Sequence, residues 1–247
     1  MTEKSDKSIR KGIYILPNLL TTGALFAGFS SIIMASKANF EVASILIFIA
    51  MVLDGLDGRV ARMTNTTSEF GIQYDSLSDM VSFGLAPALV VYEWSLHTMG
   101  KLGWLIAFIY AAAAALRLAR FNAHASLEKS LFQGLPSPSA AAILASFIWV
   151  VTDYGMTGAD FRAVILILTL ITAILMVSNV PFRSFKDFDL RSHVPFVVLL
   201  GIVTVLVVIV YDPARVLFAG FFVYLLSGPV TALLYRKKKN DSTDVAK

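Results

Sequence analysis

The chain contains no cysteine, and only 15% of its 247 residues are charged. The first absence excludes a structural disulfide, a thiolate metal site and a cysteine nucleophile. The second separates the chain from soluble globular domains, in which about 25% of residues carry charge. No internal repeat is evident, so the main sequence sign of an inverted-repeat transporter is missing. What the chain has in excess is apolar residues, 57% of the total. That is more apolar surface than a sphere of this size can hide. Disorder, a disulfide scaffold and a soluble nucleic-acid binder are excluded together, and no nucleic-acid partner is expected. The composition is that of an all-α integral membrane protein.

Crossing the hydrocarbon core of a bilayer takes about 20 apolar residues of helix. Eight stretches approach this: 14–36, 41–58, 75–96, 102–120, 137–152, 161–180, 194–211 and 215–235. They predict one membrane domain over 1–247, with a six-helix catalytic core at 14–180, its site on the second and third helices. Two further helices follow at 194–235. The basic residues set the orientation. With the N-terminus inside, Lys4, Lys7, Arg10 and Lys11 share the cytosolic face with Arg59, Arg62, Arg117, Arg120, Lys129, Arg183, Lys186 and Arg191. Arg236 to Lys239 and Lys247 complete that face, leaving only Lys37, Lys101, Arg162 and Arg215 outside. Both termini are therefore expected in the cytosol. No small-x-small site follows the first apolar segment, so no cleaved signal peptide is expected.

One feature does not suit a plain bundle. Leu53-Asp54-Gly55-Leu56-Asp57-Gly58-Arg59-Val60-Ala61-Arg62 leaves the second span, and Gly71-Ile72-Gln73-Tyr74-Asp75-Ser76-Leu77-Ser78-Asp79 enters the third. Ionisable groups near membrane depth are costly and are functional candidates by default. Asp54 and Asp57 are i, i+3, while Asp75 and Asp79 are i, i+4, so two adjacent helices can present four carboxylates to each other. Bare carboxylates packed together repel. Mg²⁺ or Mn²⁺ answers this with hard oxygen ligands and shares them readily with substrate phosphates. No histidine joins the cluster, which argues against zinc or iron. Two such ions suit an in-line displacement at phosphorus. Gly58, Ala61 and Gly71 leave helix surface bare for a ligand, and Arg62 offers charge-assisted bonds to a phosphate. The plainer alternative is close helix packing at the glycines, with the Asp residues paired to nearby Arg.

The run Asp54-x-x-Asp57-Gly58-x-x-Ala61-Arg62, eight residues, then Gly71-x-x-x-Asp75-x-x-x-Asp79 resembles the signature of the CDP-alcohol phosphatidyltransferase family at every fixed position. The resemblance implies a multi-span bundle that moves a phosphatidyl group from a CDP-linked lipid to an alcohol and releases CMP. It implies Asp54, Asp57 and Asp75 as ligands of two Mg²⁺ or Mn²⁺ ions, with Asp79 as both ligand and general base. It likewise implies contacts to CDP-diacylglycerol from Gly58, Ala61, Arg62 and Gly71, with Pro17 and Asn18 at the start of the first span. Ser68 falls where relatives place a phosphate-contacting hydroxyl.

The signature is silent on the acceptor. Arg120 and Asn122 offer an anion site and an amide at the end of the fourth span. The stiff turn Gly134-Leu135-Pro136-Ser137-Pro138 puts Ser137 at a helix start, where free N–H groups favour a carboxylate. Otherwise Arg117 and Arg120 are simple cytosolic anchors and the prolines only start a helix. These runs, with Pro17-Asn18-Leu19-Leu20-Thr21, resemble the phosphatidylserine synthase branch of the family. That implies L-serine as acceptor, with Arg120, Asn122, Gly134, Pro136 and Ser137 around it, a bacterial plasma membrane, a cytosol-facing site and possible homodimerisation. Two rivals stay open. Glycerol 3-phosphate or an inositol phosphate would keep the chemistry but should want a denser basic cluster. A divalent-cation transporter would explain the Asp residues, but not the ordered Gly58, Ala61 and Arg62. His97, His124 and His193 are scattered and carry no role here.

Overall fold

A computed structural model describes residues 2–123, 131–183 and 196–244. His124, Lys129, Lys186, Arg191, His193 and Lys247 lie outside the described residues. Helix α1 (Thr2–Ser36) and α2 (Phe40–Met63) form an antiparallel pair, followed by α3 (Glu69–Asp79) and α4 (Ala86–Trp94). Then come α5 (Lys101–Ala123), α6 (Ser137–Asp153), α7 (Arg162–Val177), α8 (Phe196–Tyr211) and α9 (Pro213–Asp244). The protein is a helical membrane protein. Ile15–Ser36, Lys101–Ala123 and Pro213–Ala232 are each long and apolar enough to cross a bilayer, and α6 and α7 are shorter apolar helices. Outward side chains are greasy, as lipid contact requires: Phe26 is 69% exposed and Phe108 63%.

Small residues let these helices approach closely. Ala111, Ala113 and Ala114 of α5 and Ala140, Ala141 and Ala145 of α6 are buried in the core with Ile47, Phe83, Tyr110, Ile143 and Ile165. Hydroxyls cross between helices where no water can satisfy a carbonyl. Ser31 Oγ donates to the Ala43 carbonyl at 2.7 Å, Ser78 Oγ to Thr21 at 3.1 Å, and Ser82 Oγ to Ala24 at 3.0 Å. The start of α9 is pinned to the end of α6. Arg215 pairs with Asp212 and Asp153, donates to the Tyr154 hydroxyl at 2.9 Å, and stacks 4.6 Å over that ring. Its hydrogen bond holds the Asp212 carboxyl below the ordinary range.

Several elements depart from the expected spans, and three departures bear on the site. The third expected helix, 75–96, begins earlier, at Glu69, because Ser68 caps it by accepting from the Gly71 N–H at 3.0 Å. It is also not uniform, since Met80–Leu85 is a π-helical segment between α3 and α4. Pro87 has no N–H to give the Phe83 carbonyl four residues back. The Tyr110 hydroxyl donates to that carbonyl instead, at 3.2 Å. The sixth span stops at Val177 rather than 180, where Ser178 turns extended ahead of Val180-Pro181. Last, the all-α expectation misses a small antiparallel ribbon, β1 (Leu131–Gln133) against β2 (Pro181–Arg183), with Phe132 opposite Phe182.

The close approach of α1 to the π segment gives a direct test. A Cβ at Gly28 would stand 2.7 Å from Ser82 Cα, which is backbone and cannot move aside, whereas Gly220 has nothing within 4 Å. Gly28→Ala should lower stability by about 1–3 kcal/mol, as overpacking does. Gly220→Ala should leave stability unchanged or raise it by up to about 1 kcal/mol. Thermal unfolding of the two detergent-solubilised variants checks this.

Candidate active site

The site is built where α2 meets α3 under the middle of α1. Asp54 and Asp57 sit one turn apart on α2 and face Asp75 and Asp79 on α3. One oxygen from each of Asp54, Asp57 and Asp75 lies within 4.8 Å of the other two. Asp79 is outside that triad; Asp54 lies within hydrogen-bonding reach of both Asp75 and Asp79. The helical spacing anticipated in the sequence therefore does bring all four together.

Each carboxylate has a different environment. Asp57 is 4% exposed and accepts from Thr21 Oγ1 at 2.6 Å. Asp75 Oδ1 and Asp79 Oδ1 are buried with no donor among the described residues. Carboxylates gathered this closely repel unless positive charge lies among them. Oxygen-only donors, two of them orphaned, fit a hard divalent cation such as Mg²⁺ or Mn²⁺.

An open cleft runs from this cluster along the middle of α1 toward the start of α3. Its walls are Pro17, Asn18 and Thr21 from α1, Asp57, Gly58, Ala61 and Arg62 from α2, and Thr66 to Ser68, Gly71, Ile72 and Asp75 beyond. Pro17, Asn18, Gly58, Ala61, Arg62, Ser68 and Gly71, singled out from the sequence, thus all line one cleft. Arg62 folds back so that a Cβ at Gly58 would be 3.4 Å from its Nη1. Asn18 and Ser68 converge over Gly71, with Asn18 Oδ1 at 3.6 Å and Ser68 Oγ at 3.1 Å from the Cβ position. Ser68 accepts the Gly71 N–H, and its own hydroxyl proton stays available to an incoming oxygen. The N-terminus of α3 opens into the same cleft, a setting that favours anions.

The residues expected around the acceptor behave less uniformly. Asn122 Nδ2 donates to Ser76 Oγ at 2.9 Å, tying the end of α5 to α3 beside Asp75. Arg120 does not face an open anion site. Its guanidinium donates to the carbonyls of Val177 (3.1 Å), Ser178 (3.2 Å) and Met176 (3.4 Å) and to Asn179 Oδ1 (3.3 Å), closing the end of α7. Gly134 must be glycine, at φ +83°, because a Cβ there would sit 2.4 Å from the Met176 carbonyl. Pro136 caps α6, and Ser137 behind it is fully buried.

Sequence reasoning missed the buried cation. Arg117, one turn before Arg120, is only 9% exposed, so it is no cytosolic anchor. Its Nη1 donates to Ser137 Oγ at 2.9 Å, its Nε is buried without an acceptor among the described residues, and Asp79 lies within electrostatic reach. The available signal was the pairing of two Arg at i, i+3 on one helix end, which cannot say which of them turns inward.

A family model for CDP-alcohol phosphatidyltransferases matches residues 14–178. The chain belongs to this family. It is similar to the CDP-diacylglycerol–serine O-phosphatidyltransferase of Helicobacter pylori, 34% identical over 92% of this chain and 94% of that protein. Similar too are proteins of the same name from Mycobacterium leprae (32%; 85% of this chain, 72% of the relative) and Bacillus subtilis (32%; 69% and 91%).

A carboxylate triad that binds a cation should be stabilised by it. Mn²⁺ at a hundred times its Kd should add about 2.7 kcal/mol, read as a raised Tm. Asp54→Asn should abolish the effect. Thr21→Val, which leaves Asp57 unheld, should weaken the apparent Mn²⁺ affinity roughly 10- to 100-fold, and Thr21→Ser should retain it. Titration of Mn²⁺ by electron paramagnetic resonance checks this without any turnover.

Proposed function

We propose that the protein transfers the phosphatidyl group of CDP-diacylglycerol to the hydroxyl of L-serine, giving phosphatidylserine and CMP. The observation that carries this reading is the carboxylate cluster at the head of the Arg62–Ser68–Gly71 cleft, with the buried Arg117 on its far side. Family membership and the names of the relatives support it.

The cleft holds the donor. Arg62 and the Ser68 hydroxyl bind its phosphates, the bare surfaces of Gly58 and Ala61 admit the cytidine, and Pro17 and Asn18 close the wall on α1. Asp54, Asp57, Asp75 and Asp79 would hold two divalent ions, which when bound neutralise the pyrophosphate and the charge that develops on the leaving CMP. The acceptor enters from the other side. We assign its carboxylate to Arg117, whose orphaned Nε is the free donor of a buried guanidinium, with Ser137 and Asn122 alongside. Arg120, Gly134 and Pro136 hold the walls of that pocket.

Asp79 Oδ1 has no donor, so it is ready to accept the serine hydroxyl proton. As the O–H bond breaks, the serine oxygen forms a bond to the phosphorus that bears the diacylglycerol. The bond from that phosphorus to the bridging oxygen breaks, and its electron pair leaves on CMP. Eight spans with both termini in the cytosol put this site at the inner leaflet of a bacterial plasma membrane, in reach of cytosolic serine and membrane-borne donor alike. The asymmetry of the basic residues supports that orientation.

CMP release by purified protein, with CDP-diacylglycerol and Mg²⁺ or Mn²⁺, tests the reading. Release should require L-serine, fail with glycerol 3-phosphate or inositol phosphate, and vanish with EDTA. Asp79→Asn should lower kcat by roughly 10²- to 10⁴-fold, the usual worth of a general base. Full activity in that variant would remove Asp79 from the role. Release with another acceptor would discard serine and keep the carboxylate chemistry. Metal flux in proteoliposomes without CMP release would return the transporter.

A further inference from the structure

The family-matched segment ends at residue 178, so α9 stands outside it. The acceptor side of the site is nevertheless braced against α9. Phe182, in the middle of β2, is fully buried, and its ring fills the space over Gly228: a Cβ there would stand 2.2 Å from Phe182 Cζ. The same ring lies 5.5 Å from that of Tyr224, one turn earlier on α9. Tyr224 in turn lies within electrostatic reach of Arg117.

The ribbon carries this contact into the site. Phe182 pairs with Phe132 across β1 and β2. Just beyond, the Gly134 N–H donates to the Val180 carbonyl and the Leu135 N–H to Leu175, both at 2.9 Å. Pro136 then leads into Ser137, which accepts from Arg117. Fixed proline φ angles and a glycine that tolerates no side chain leave this path little slack. None of its residues lines the donor cleft.

We propose that α9 is the acceptor-specificity element of the enzyme: through Tyr224 and the seating of Phe182 on Gly228, it sets how far the Gly134–Ser137 turn stands from Arg117. The spacing of that turn from Arg117 fixes the size of the hydroxy-amino acid that fits. The proposal rests on the assignment of the serine carboxylate to Arg117. A side chain at 228 lifts Phe182, shifts β2 and β1 together, and moves the turn while the donor cleft stays in place.

The test is a kinetic panel on full-length protein in mixed micelles: Gly228→Ala, Phe182→Leu, their double variant, and Tyr224→Phe. Gly228→Ala should raise the KM for L-serine about tenfold and narrow the kcat/KM preference for L-serine over L-homoserine by about threefold or more. The KM for CDP-diacylglycerol and the Mn²⁺ affinity should stay within about twofold of wild type. The smaller side chain of Phe182→Leu should recover part of the loss in the double variant, and Tyr224→Phe should move serine KM in the same direction. A parallel rise in both substrates' KM, or unchanged serine KM in all variants, overturns the proposal. Should Gly228→Ala fail to give a monodisperse protein, Phe182→Leu and Tyr224→Phe carry the same criteria. Wild type that releases no CMP with serine overturns the acceptor reading and this proposal with it, whereas normal wild type with unshifted variants overturns only the role of α9.

Discussion

The structure depends on holding four carboxylates together inside an apolar helical bundle. Each loses hydration there, and each repels the other three. Helix geometry makes the gathering possible, since Asp54 and Asp57 share one face of α2, and Asp75 and Asp79 one face of α3. What keeps it in place is the surrounding packing. α1 lies across both helices, Thr21 fixes Asp57 by a 2.6 Å bond, and Ser78, on α3 between the carboxylates, is tied back to the Thr21 carbonyl. The two oxygens left without donors mark where positive charge belongs. A cluster that is unfavourable for the bare fold is then explained by a divalent cation that it could hold.

The π segment follows from the same constraint. α3 must turn its carboxylates toward α2, while α4 must bury Val90, Val91 and Trp94 in the core. A regular helix through both would hold one phase throughout. One inserted residue rotates all that follows by about 100° and lets each half keep its own face. The cost is a carbonyl out of register, and Pro87 removes a further donor. Tyr110, fully buried on α5, supplies the missing bond to Phe83. Gly28 and Ser82 pack the opposite side so tightly that no side chain fits at 28.

The gathering of the carboxylates and the cleft beside them were legible in the sequence because their information is local. Spacings of three and four residues translate directly into a shared helix face, and the bare glycines and Arg62 lie on the continuation of that face. Ser68 was singled out by resemblance alone, and its role as the cap of α3 emerges only from the structure. The surroundings of Arg117 and Arg120 were not, because long-range contacts decide them. Arg117 and Arg120 have the same type and nearly the same position, and what separates them is the end of α7, more than fifty residues on, whose carbonyls capture Arg120. The ribbon was hidden too. Three-residue strands carry no alternation to read, and their partners lie about fifty residues apart. Pro87 was a visible sign of irregularity in the third span, but the hydroxyl that makes it tolerable sits on another helix.

The two halves meet through charge. A guanidinium buried with an unsatisfied Nε costs several kcal/mol in desolvation, which no direct ion pair offsets among the described residues. Asp79 nearby carries the complementary problem, an oxygen with no donor. On the proposed reading, one small molecule resolves both: a carboxylate against Arg117 and a hydroxyl toward Asp79, separated by the two carbons, Cα and Cβ, of serine. Binding energy gained at the carboxylate, remote from the reacting bond, is then available to orient the hydroxyl at phosphorus. An acceptor with a bulkier anionic group would meet the same cation but not the same distance. Selectivity would therefore reside in the spacing between two fixed groups rather than in the strength of either contact. On the same reading, α3 and α5, which set this spacing, and the ribbon and turn that brace Arg117 belong to the site as much as the residues that would touch substrate.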